Sequence, residues 1–321
     1  MNPMRLETVG VDRIDPNTDA CRITTKQGID ALADSIREVG LLNAPILAEG
    51  PTRYQVVSGY RRVAACRQLD IPGIVVRIMA PEATLLDRAK VAITENLHQR
   101  SLNLIELSRA YALLFDATER PDEAVRVAGG LGLPGNLEYM EKTSDLCGMA
   151  PVVQRSILSG SITLPMAIEL SHLPAAVSEA LVALFLNLKL SLNRQRETLR
   201  LFREIARRDG IPLADLIDAA VSGLGTRHDE RGSAEMSRRL LTHLKRRRYP
   251  NIMTTEEEFQ RLVHRLRLGE GIKLVPPKHF EGTTYRLEVG FDSPGTLQRR
   301  LKRLVGLVDD PGLVRILKRD F

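Results

Sequence analysis

A short stretch near the start of the chain joins an alternating strand, a glycine and two adjacent arginines. Residues 54–65 read Tyr-Gln-Val-Val-Ser-Gly-Tyr-Arg-Arg-Val-Ala-Ala, a pattern that predicts a strand followed by a helix. Gly59 lets a ligand approach the backbone closely, and N–H groups at a helix start favour an anion. Arg61 and Arg62 add planar donors that match phosphate oxygens. The stretch therefore predicts a phosphate site, and the simpler alternative is a strand–turn–helix whose arginines lie in solvent.

A carboxylate and an amide follow near the end of the next predicted helix. Apolar periodicity predicts a helix over residues 82–97, which places Glu95 and Asn96 close to its C-terminus. Magnesium prefers few protein oxygens combined with phosphate oxygens. The pair is a candidate Mg²⁺ site next to the phosphate turn. The alternative for this pair alone is an exposed helix end.

Composition limits the class of protein. A chain of 321 residues is long enough for two or three domains, and its 43% hydrophobic and 27% charged residues are ordinary for a soluble protein. The net charge of +6 permits nucleic-acid binding, while 4% aromatics without Trp argue against stacking platforms for single strands. The three cysteines form no CxxC pair, so neither zinc nor a disulfide framework is indicated. No apolar run is long enough for a membrane span, and a cytoplasmic location is expected.

The pattern of residues changes along the chain and predicts four segments. Residues 1–100 alternate short strands and helices, whereas residues 101–222 are almost entirely helical. Glycine and polar residues at 223–233 predict a flexible linker, and the linker segment with a basic helix extends to 253. Residues 254–321 predict a helix capped by Thr254, two strands and a final helix.

Three motifs together resemble the ParB family of chromosome and plasmid partition proteins, in the same order and at similar separations. Residues 40–46 are similar to Gly-Leu-x-x-Pro-Ile, residues 59–65 to GERRxRA, and residues 95–106 to ENxQRxxLNxxE. The resemblance implies an α/β N-terminal domain of the ParB/sulfiredoxin type. It also implies an all-α helix-turn-helix DNA-binding domain and a small ββα dimerisation domain.

In that family the three motifs bind CTP and Mg²⁺, and the dimer acts as a nucleotide-gated DNA clamp with slow CTP hydrolysis. Carried over, the metal would lie at Glu95 and Asn96. Three motifs depart from the family. Tyr60 and Ala64 replace an arginine-motif glutamate linked to nucleotide binding and turnover and a later arginine, Asn43-Ala44-Pro45 is one residue longer than the Gln-Pro of many members, and Arg100 is displaced by one position. We therefore expect phosphate binding to be retained more readily than hydrolysis. The implied nucleotide-binding residues are Asn43, Pro45, Ser58, Gly59, Tyr60, Arg61, Arg62, Glu95 and Asn96.

The helical middle of the chain fits a helix-turn-helix with helices at 121–128 and 136–146 around a glycine-rich turn at 129–135. A recognition helix places polar side chains against base edges in the major groove. Three acidic residues lie on the second helix, and their charge would repel DNA phosphates. The alternative is therefore a helical packing module that makes no DNA contacts. Basic residues at 194–208 lie on one long predicted helix, where they either contact phosphates or form a solvated face. The candidate DNA-binding residues are Asn136, Tyr139, Lys142, Thr143, Ser144, Arg194, Arg196 and Arg200.

The C-terminal segment resembles the strand–strand–helix dimerisation domain of ParB proteins. Leu297, Leu301, Leu304 and Val308 recur at helical spacing and form one apolar stripe. A unit this small buries such a stripe poorly by itself, so pairing with a second copy is expected, and docking onto the chain's own core is the alternative. Basic clusters at residues 245–248 and 299–303 are candidates for non-specific DNA contact.

These features predict a nucleoid- or plasmid-associated homodimer that binds double-stranded DNA at a parS-like site. Many ParB proteins also carry a basic N-terminal leader that engages a ParA-type ATPase. Because the first strand is reached by Leu6, we expect no such leader and rank a ParA partner lower.

One alternative function is that of a transcriptional or nucleoid-organising regulator on the same scaffold. Another is an enzyme of the ParB/sulfiredoxin fold, such as a nuclease or a kinase. Two observations oppose the enzyme alternative: sulfiredoxin needs a cysteine in the turn that Tyr60 occupies here, and the sequence shows no cluster of acidic residues like that of a nuclease.

Overall fold

The computed structural model describes residues 4–17, 19–224 and 230–318. The chain divides into two compact units, Met1–Leu186 and Asn187–Phe321. Among the described residues, no helix is both long and apolar enough to cross a bilayer.

The first unit contains a four-stranded mixed sheet in the order β1-β4-β2-β3. The outer pairs, β1 with β4 and β2 with β3, are antiparallel, while β2 and β4 are parallel. The first strand ends at Gly10, where Val11–Arg13 forms a 3-10 turn. The strands are β1 at Arg5–Gly10, β2 at Ile46–Ala48, β3 at Gln55–Ser58 and β4 at Gly73–Ile78.

Both faces of the sheet are buried at β2 and β3, whereas β1 and β4 alternate between buried and exposed residues. Leu47 packs in a core with residues of helices α1 and α2, whereas its neighbours Ile46 and Ala48 pack in a second core with helix α3. This part of the sheet therefore lies between two helical layers. These helices are α1 at Asp30–Val39, α2 at Tyr60–Gln68 and α3 at Leu85–Gln99.

The rest of the first unit is helical and is organised around the buried helix α4. Tyr111 and Leu114 of α4 are fully buried. Helix α6 is shorter than the predicted 136–146, because residues 145–148 tighten into a 3-10 turn. The helices are α4 at Leu104–Asp116, α5 at Pro121–Gly130, α6 at Leu137–Ser144, α7 at Pro151–Leu158, α8 at Leu164–Ser171 and α9 at Ala175–Asn187.

The second unit contains four helices, a two-stranded antiparallel sheet and two further helices among its described residues. A small apolar core around Phe259 joins α13, β5 and α15. The elements are α10 at Leu192–Asp209, α11 at Leu213–Leu224, α12 at Glu230–Arg248, α13 at Pro250–Leu266, β5 at Ile272–Val275, β6 at Arg286–Val289, α14 at Pro294–Val305 and α15 at Pro311–Lys318.

Two local predictions for this unit need correction. The expected linker at 223–233 is helical at both ends, at 223–224 and at 230–233, and residues 225–229 lie outside the described part. Thr254 does not cap a helix, because α13 already begins at Pro250. Proline suits the first helical position, and the Thr254 hydroxyl instead donates to the Pro250 carbonyl at 3.0 Å.

Candidate functional site

A cavity of about 450 Å³ lies at the junction of β3 with α2 and is closed on another side by the end of α3. Every residue that the resemblance assigns to a nucleotide lines this cavity except Pro45, which packs against Gly59 instead. The motifs that are far apart in sequence therefore converge. The lining residues are Cys21, Ile23, Thr24, Lys26, Leu32, Asn43, Val57, Ser58, Gly59, Tyr60, Arg61, Arg62, Glu95, Asn96 and Arg100.

Gly59 turns the chain from β3 into α2 and permits a close backbone approach. Its φ of 94° lies in the left-handed region, which disfavours residues with a Cβ atom. A Cβ at this position would lie 3.0 Å from the Pro45 Cβ and 3.2 Å from the Arg62 Nε. The helix start behind it leaves backbone N–H groups that suit an anion.

Both arginines of the turn are held by the walls of the cavity. The Arg61 Nε and Nη2 donate to the Gly28 carbonyl at 3.2 and 2.5 Å. The Arg62 Nη1 donates to the Asn43 carbonyl at 2.9 Å, and its Nη2 donates to the Glu95 carboxylate at 3.2 Å. A guanidinium has several donors, so this anchoring fixes the orientation while leaving N–H groups for a ligand.

Glu95 and Asn96 supply the hard oxygen atoms of the cavity. The Glu95 carboxylate accepts from the Ser58 hydroxyl at 3.0 Å as well as from Arg62. The Asn96 Nδ2 donates to the Ala92 carbonyl at 2.8 Å, which fixes the side-chain amide. One carboxylate and one amide oxygen fit Mg²⁺ whose other ligands are phosphate and water oxygens, but they are too few for an all-protein metal cage.

Tyr60 occupies the position of the family glutamate and has a structural role in the turn. Its hydroxyl donates to the Val56 carbonyl at 2.6 Å and accepts from the Cys21 N–H at 3.2 Å. Burial raises the pKa of the phenol well above its ordinary value. The hydroxyl therefore ties β3 to the segment at 19–25 and is not available as a base that activates water.

Sequence reasoning missed the wall formed by Thr24, Lys26 and Arg100. The segment at 19–27 lies between regular elements and has no periodicity to predict its course. Arg100 was noted only for its displaced motif position. In the structure its guanidinium lines the cavity and also binds the Glu106 carboxylate, with both nitrogen–oxygen distances at 2.5 Å.

Glu106 is a fully buried carboxylate that joins three parts of the first unit. Besides Arg100, it accepts hydrogen bonds from the N–H and hydroxyl of Thr25 at 2.8 and 3.1 Å and from the Asn103 N–H at 3.1 Å. Burial acts to raise the pKa of this carboxyl, but the hydrogen bonds from Arg100, Thr25 and Asn103 outweigh it and lower the pKa to about 2. The charged form is thus strongly stabilised.

Comparison with known proteins identifies the first part of the chain. A family model of the ParB N-terminal domain matches residues 2–97, which contain β1 to β4 and nearly all of α3. A probable chromosome-partitioning protein ParB of Helicobacter pylori is 25% identical over 200 residues, covering 62% of this chain and 67% of that protein. Residues 2–97 therefore form a ParB N-terminal domain.

Other relatives match over shorter stretches. The chromosome-partitioning protein ParB of Caulobacter vibrioides is 28% identical over 48% of this chain, and a nucleoid occlusion protein of Listeria monocytogenes is 29% identical over 50% of it. The matches span 50% and 54% of those relatives' own lengths. The crystal structure of C-terminally truncated ParB from Caulobacter crescentus complexed with CTP-gamma-S is 24% identical, with a TM-score of 0.27, and covers 55% of this chain and 97% of that chain.

The residues predicted to read DNA differ in accessibility. Thr143 is completely buried, so the prediction is wrong for this residue: it lies on the inner face of α6. Tyr139 is half-buried, with its ring edge-on to Tyr111 at 6.2 Å. The exposed Asn136 caps α6 by accepting from the Tyr139 N–H at 3.0 Å. Lys142 forms an ion pair with Glu138 on the exposed face.

Ser144 and the basic residues of α10 also have partners within the protein. The half-buried Ser144 donates its hydroxyl to the Glu141 carbonyl at 2.8 Å. Arg194 donates to the Ser237 hydroxyl at 3.1 Å, and Arg200 pairs with Glu204 at 2.9 Å, while Arg196 is exposed.

The basic cluster at 245–248 is an assembly of ion pairs within the second unit. Each of its four cations pairs with a carboxylate from α10 or α13 at 2.5 to 3.0 Å. The pairs are Lys245 with Glu197, Arg246 with Glu257, Arg247 with Asp209 and Arg248 with Glu204. These pairs follow from helix packing, which the local sequence does not reveal, and non-specific DNA contact by the cluster stays a prediction.

An apolar groove of about 190 Å³ runs along α14 in the second unit. Two residues of the predicted apolar stripe are exposed, Leu301 to 48% and Val308 to 62%. The other two are less accessible: Leu304 packs partly against the core of the second unit, and Leu297 is half-buried. Sequence analysis missed Val305, which is 72% exposed beside them. Apolar side chains form the whole lining of this groove, which has room for a further apolar partner.

Proposed function

We propose that this protein is a ParB-type partition protein that binds CTP with Mg²⁺ and closes around double-stranded DNA as a homodimer. The observation that carries the proposal is the convergence of three separate family motifs on one cavity. The arginines and the helix start of α2 would hold the phosphates. Glu95 and Asn96 would hold Mg²⁺, which neutralises phosphate charge when bound. Asn43 and Pro45 would lie near the base and ribose.

Calorimetric titration with CTP and Mg²⁺ tests the nucleotide site. Charge-assisted hydrogen bonds contribute roughly 1.5–3 kcal/mol, so Arg62→Ala should weaken CTP binding at least about tenfold. The matched control is Arg120→Ala, because this arginine is 76% exposed and forms a surface ion pair with Asp122 at 3.2 Å. Equal CTP affinity of Arg62→Ala and wild type would reject the pocket assignment. Titrations with ATP, GTP and UTP compare the bases.

Turnover of CTP is expected to be weak at this site. Among the described lining residues Glu95 is the only carboxylate, and it already accepts from Ser58 and Arg62. The Tyr60 hydroxyl is occupied by two backbone groups. Phosphate release in the presence of DNA measures this property, and a release rate equal to that of a glutamate-containing ParB would contradict the expectation.

DNA binding is proposed for the exposed side of α6 and for the outward arginines of α10. The α5–turn–α6 arrangement fits a helix-turn-helix, and Asn136 and Lys142 remain accessible on it. Among the three candidate arginines of α10, Arg196 is the most suitable phosphate contact because Arg200 and Arg194 already have protein partners. Sequencing of DNA that co-purifies with the protein identifies the site. Lys142→Ala and Arg196→Ala should each weaken its binding, and unchanged affinity of both would remove these surfaces from the proposal.

Dimerisation is proposed through the groove along α14. Leu301→Asp would place a charge among apolar side chains, and it should shift the sedimentation of the full chain from dimer to monomer. Leu6→Asp changes a leucine that is 69% exposed on β1 and is the matched control. A Leu301→Asp protein that sediments as a dimer at micromolar concentration would reject this seam.

A nucleoid-organising DNA-binding regulator is the second candidate function. The match to nucleoid occlusion proteins, over half of this chain, favours it. Both candidates share the nucleotide site, so the genomic distribution of bound DNA distinguishes them. One cluster of sites beside a gene for a ParA-type ATPase supports partition, whereas sites dispersed over the chromosome support the regulator.

A further inference from the structure

A second, smaller pocket of about 170 Å³ lies against helix α2 in the first unit. Among their described lining residues, this pocket and the nucleotide cavity share only Tyr60 and Arg61. Three arginines line the pocket, namely Arg22, Arg61 and Arg67. Positions three apart lie along one face of a helix, so Arg61 and Arg67 flank Ala64 on α2. The small side chain of Ala64 leaves room between the two cations.

The two arginines of α2 are held by neutral groups. The Arg61 guanidinium donates to the Gly28 carbonyl at 3.2 and 2.5 Å, and the Arg67 Nη2 donates to the Ile14 carbonyl at 2.6 Å. A carbonyl fixes the orientation of a guanidinium without neutralising its charge, and each guanidinium keeps further N–H groups. Neither Arg61 nor Arg67 forms an ion pair within the described part of the chain. Both positive charges therefore remain available to an anion.

Arg22 brings a third cation from the irregular segment at 19–27. Its guanidinium carbon lies 5.9 Å from the centre of the Tyr60 ring, and its Nη1 pairs with Asp19 at 3.2 Å. The Asp19 side chain is 69% exposed, against 33% for Arg22, so the carboxylate is the more solvated partner. The other carboxylate of the lining, Asp15, accepts from the Asn17 N–H at 2.9 Å. Three guanidiniums against two carboxylates leave the described lining positive.

The size of the pocket limits what can bind there. Its volume is below the roughly 300–1,000 Å³ of pockets for drug-sized ligands, so a whole nucleotide does not fit. Guanidinium donors match the oxygen atoms of a phosphate group. We propose that this pocket is a second anion site, which holds one phosphate-type oxyanion between Arg22, Arg61 and Arg67. The site goes beyond the proposed nucleotide binding, because free phosphate would occupy it in the absence of CTP.

Phosphorus-31 NMR of the full chain with inorganic phosphate, in a phosphate-free chloride buffer, tests this site. Wild type should bind phosphate and broaden its resonance. Arg22→Gln and Arg67→Gln should each weaken binding about tenfold, since each removes charge-assisted hydrogen bonds. Ala64→Leu should also weaken it by filling the pocket, with every arginine kept and a good helix former introduced. Arg37→Gln is the matched control, because Arg37 of α1 is 63% exposed and pairs with Asp34 on the surface. It should bind phosphate as wild type does.

Arg62→Ala distinguishes the pocket from the nucleotide cavity, because Arg62 lines the cavity and not the pocket. This variant should retain phosphate binding. Loss of phosphate binding in Arg62→Ala together with full binding in Ala64→Leu would place the phosphate in the nucleotide cavity and overturn the second site. A wild-type protein that binds no phosphate at millimolar concentration would overturn it as well.

Calorimetry with CTP and Mg²⁺ separates free phosphate from a phosphate of the nucleotide. Ala64→Leu should bind CTP as wild type does, because the added side chain fills the pocket and leaves the cavity open. Loss of CTP binding in a folded Ala64→Leu protein would make the pocket part of the nucleotide site and overturn the proposal. A wild-type protein that fails to bind CTP would reject the proposed function alone, and the phosphate measurement would stand.

Discussion

Glu106→Gln should destabilise the first unit strongly at neutral pH and much less in acid. The folded-state pKa of Glu106 is about 2, against an ordinary value of 4.5. Each pKa unit corresponds to roughly 1.4 kcal/mol, so the charged carboxylate contributes about 3 kcal/mol at pH 7. No part of this side chain is exposed to solvent screening. The contribution is present above pH 4.5 and is lost as the pH falls towards 2, leaving about 1 kcal/mol at pH 3.

Urea titrations at pH 7 and pH 3 measure this difference, with hydrogen exchange of a peptide from α4 reporting on the first unit alone. Glu138→Gln is the matched control, because this carboxylate is 74% exposed and pairs with Lys142 on the surface. It should leave the urea midpoint unchanged at both pH values. A Glu106→Gln effect of equal size at pH 7 and pH 3 would refute the electrostatic account and assign the loss to packing.

Gly59→Ala should destabilise the protein by about 1–3 kcal/mol and abolish CTP binding, because the backbone is left-handed here and a Cβ would collide with Pro45. Thermal unfolding measures the stability and calorimetry measures the CTP binding. A stable variant that binds CTP would contradict the turn geometry. Tyr60→Phe should lower the free energy of unfolding by about 1–3 kcal/mol, because two hydrogen bonds of the hydroxyl are lost, and should leave any CTP turnover unchanged. A changed rate of phosphate release would instead give the hydroxyl a chemical role. Thr143→Val should be neutral or slightly stabilising in urea, since the buried Oγ1 has no partner among the described residues. It should not alter DNA affinity, and weaker binding would restore Thr143 as a contact.

Local sequence was sufficient to predict the strand–glycine–helix turn at residues 54–65. Gly59 and the adjacent arginines mark a strand-to-helix transition by themselves, and the helix predicted over 82–97 is observed at Leu85–Gln99. Such features depend on residues a few positions apart, which is why sequence patterns reveal them.

Features that depend on packing were not predictable in this way. Thr143 and Lys142 are neighbours with similar polarity, yet only the packing of α6 on α4 decides that Thr143 is buried. Thr24 and Lys26 reach the cavity through an irregular segment that Tyr60 anchors by its bond to Cys21. Long-range hydrogen bonds set that course, and they leave no periodic signal in the sequence.

The ion pairs of α12 affect how salt dependence should be read for this protein. If four phosphate contacts were assigned to residues 245–248 from their charge, the same cations would be counted twice, since each already neutralises a carboxylate of α10 or α13. Added salt weakens phosphate contacts on DNA and also screens these partly exposed intramolecular pairs. A plot of DNA affinity against salt concentration would then mix release of counterions from DNA with loosening of the protein itself. Circular dichroism of the free protein over the same salt series separates the two contributions.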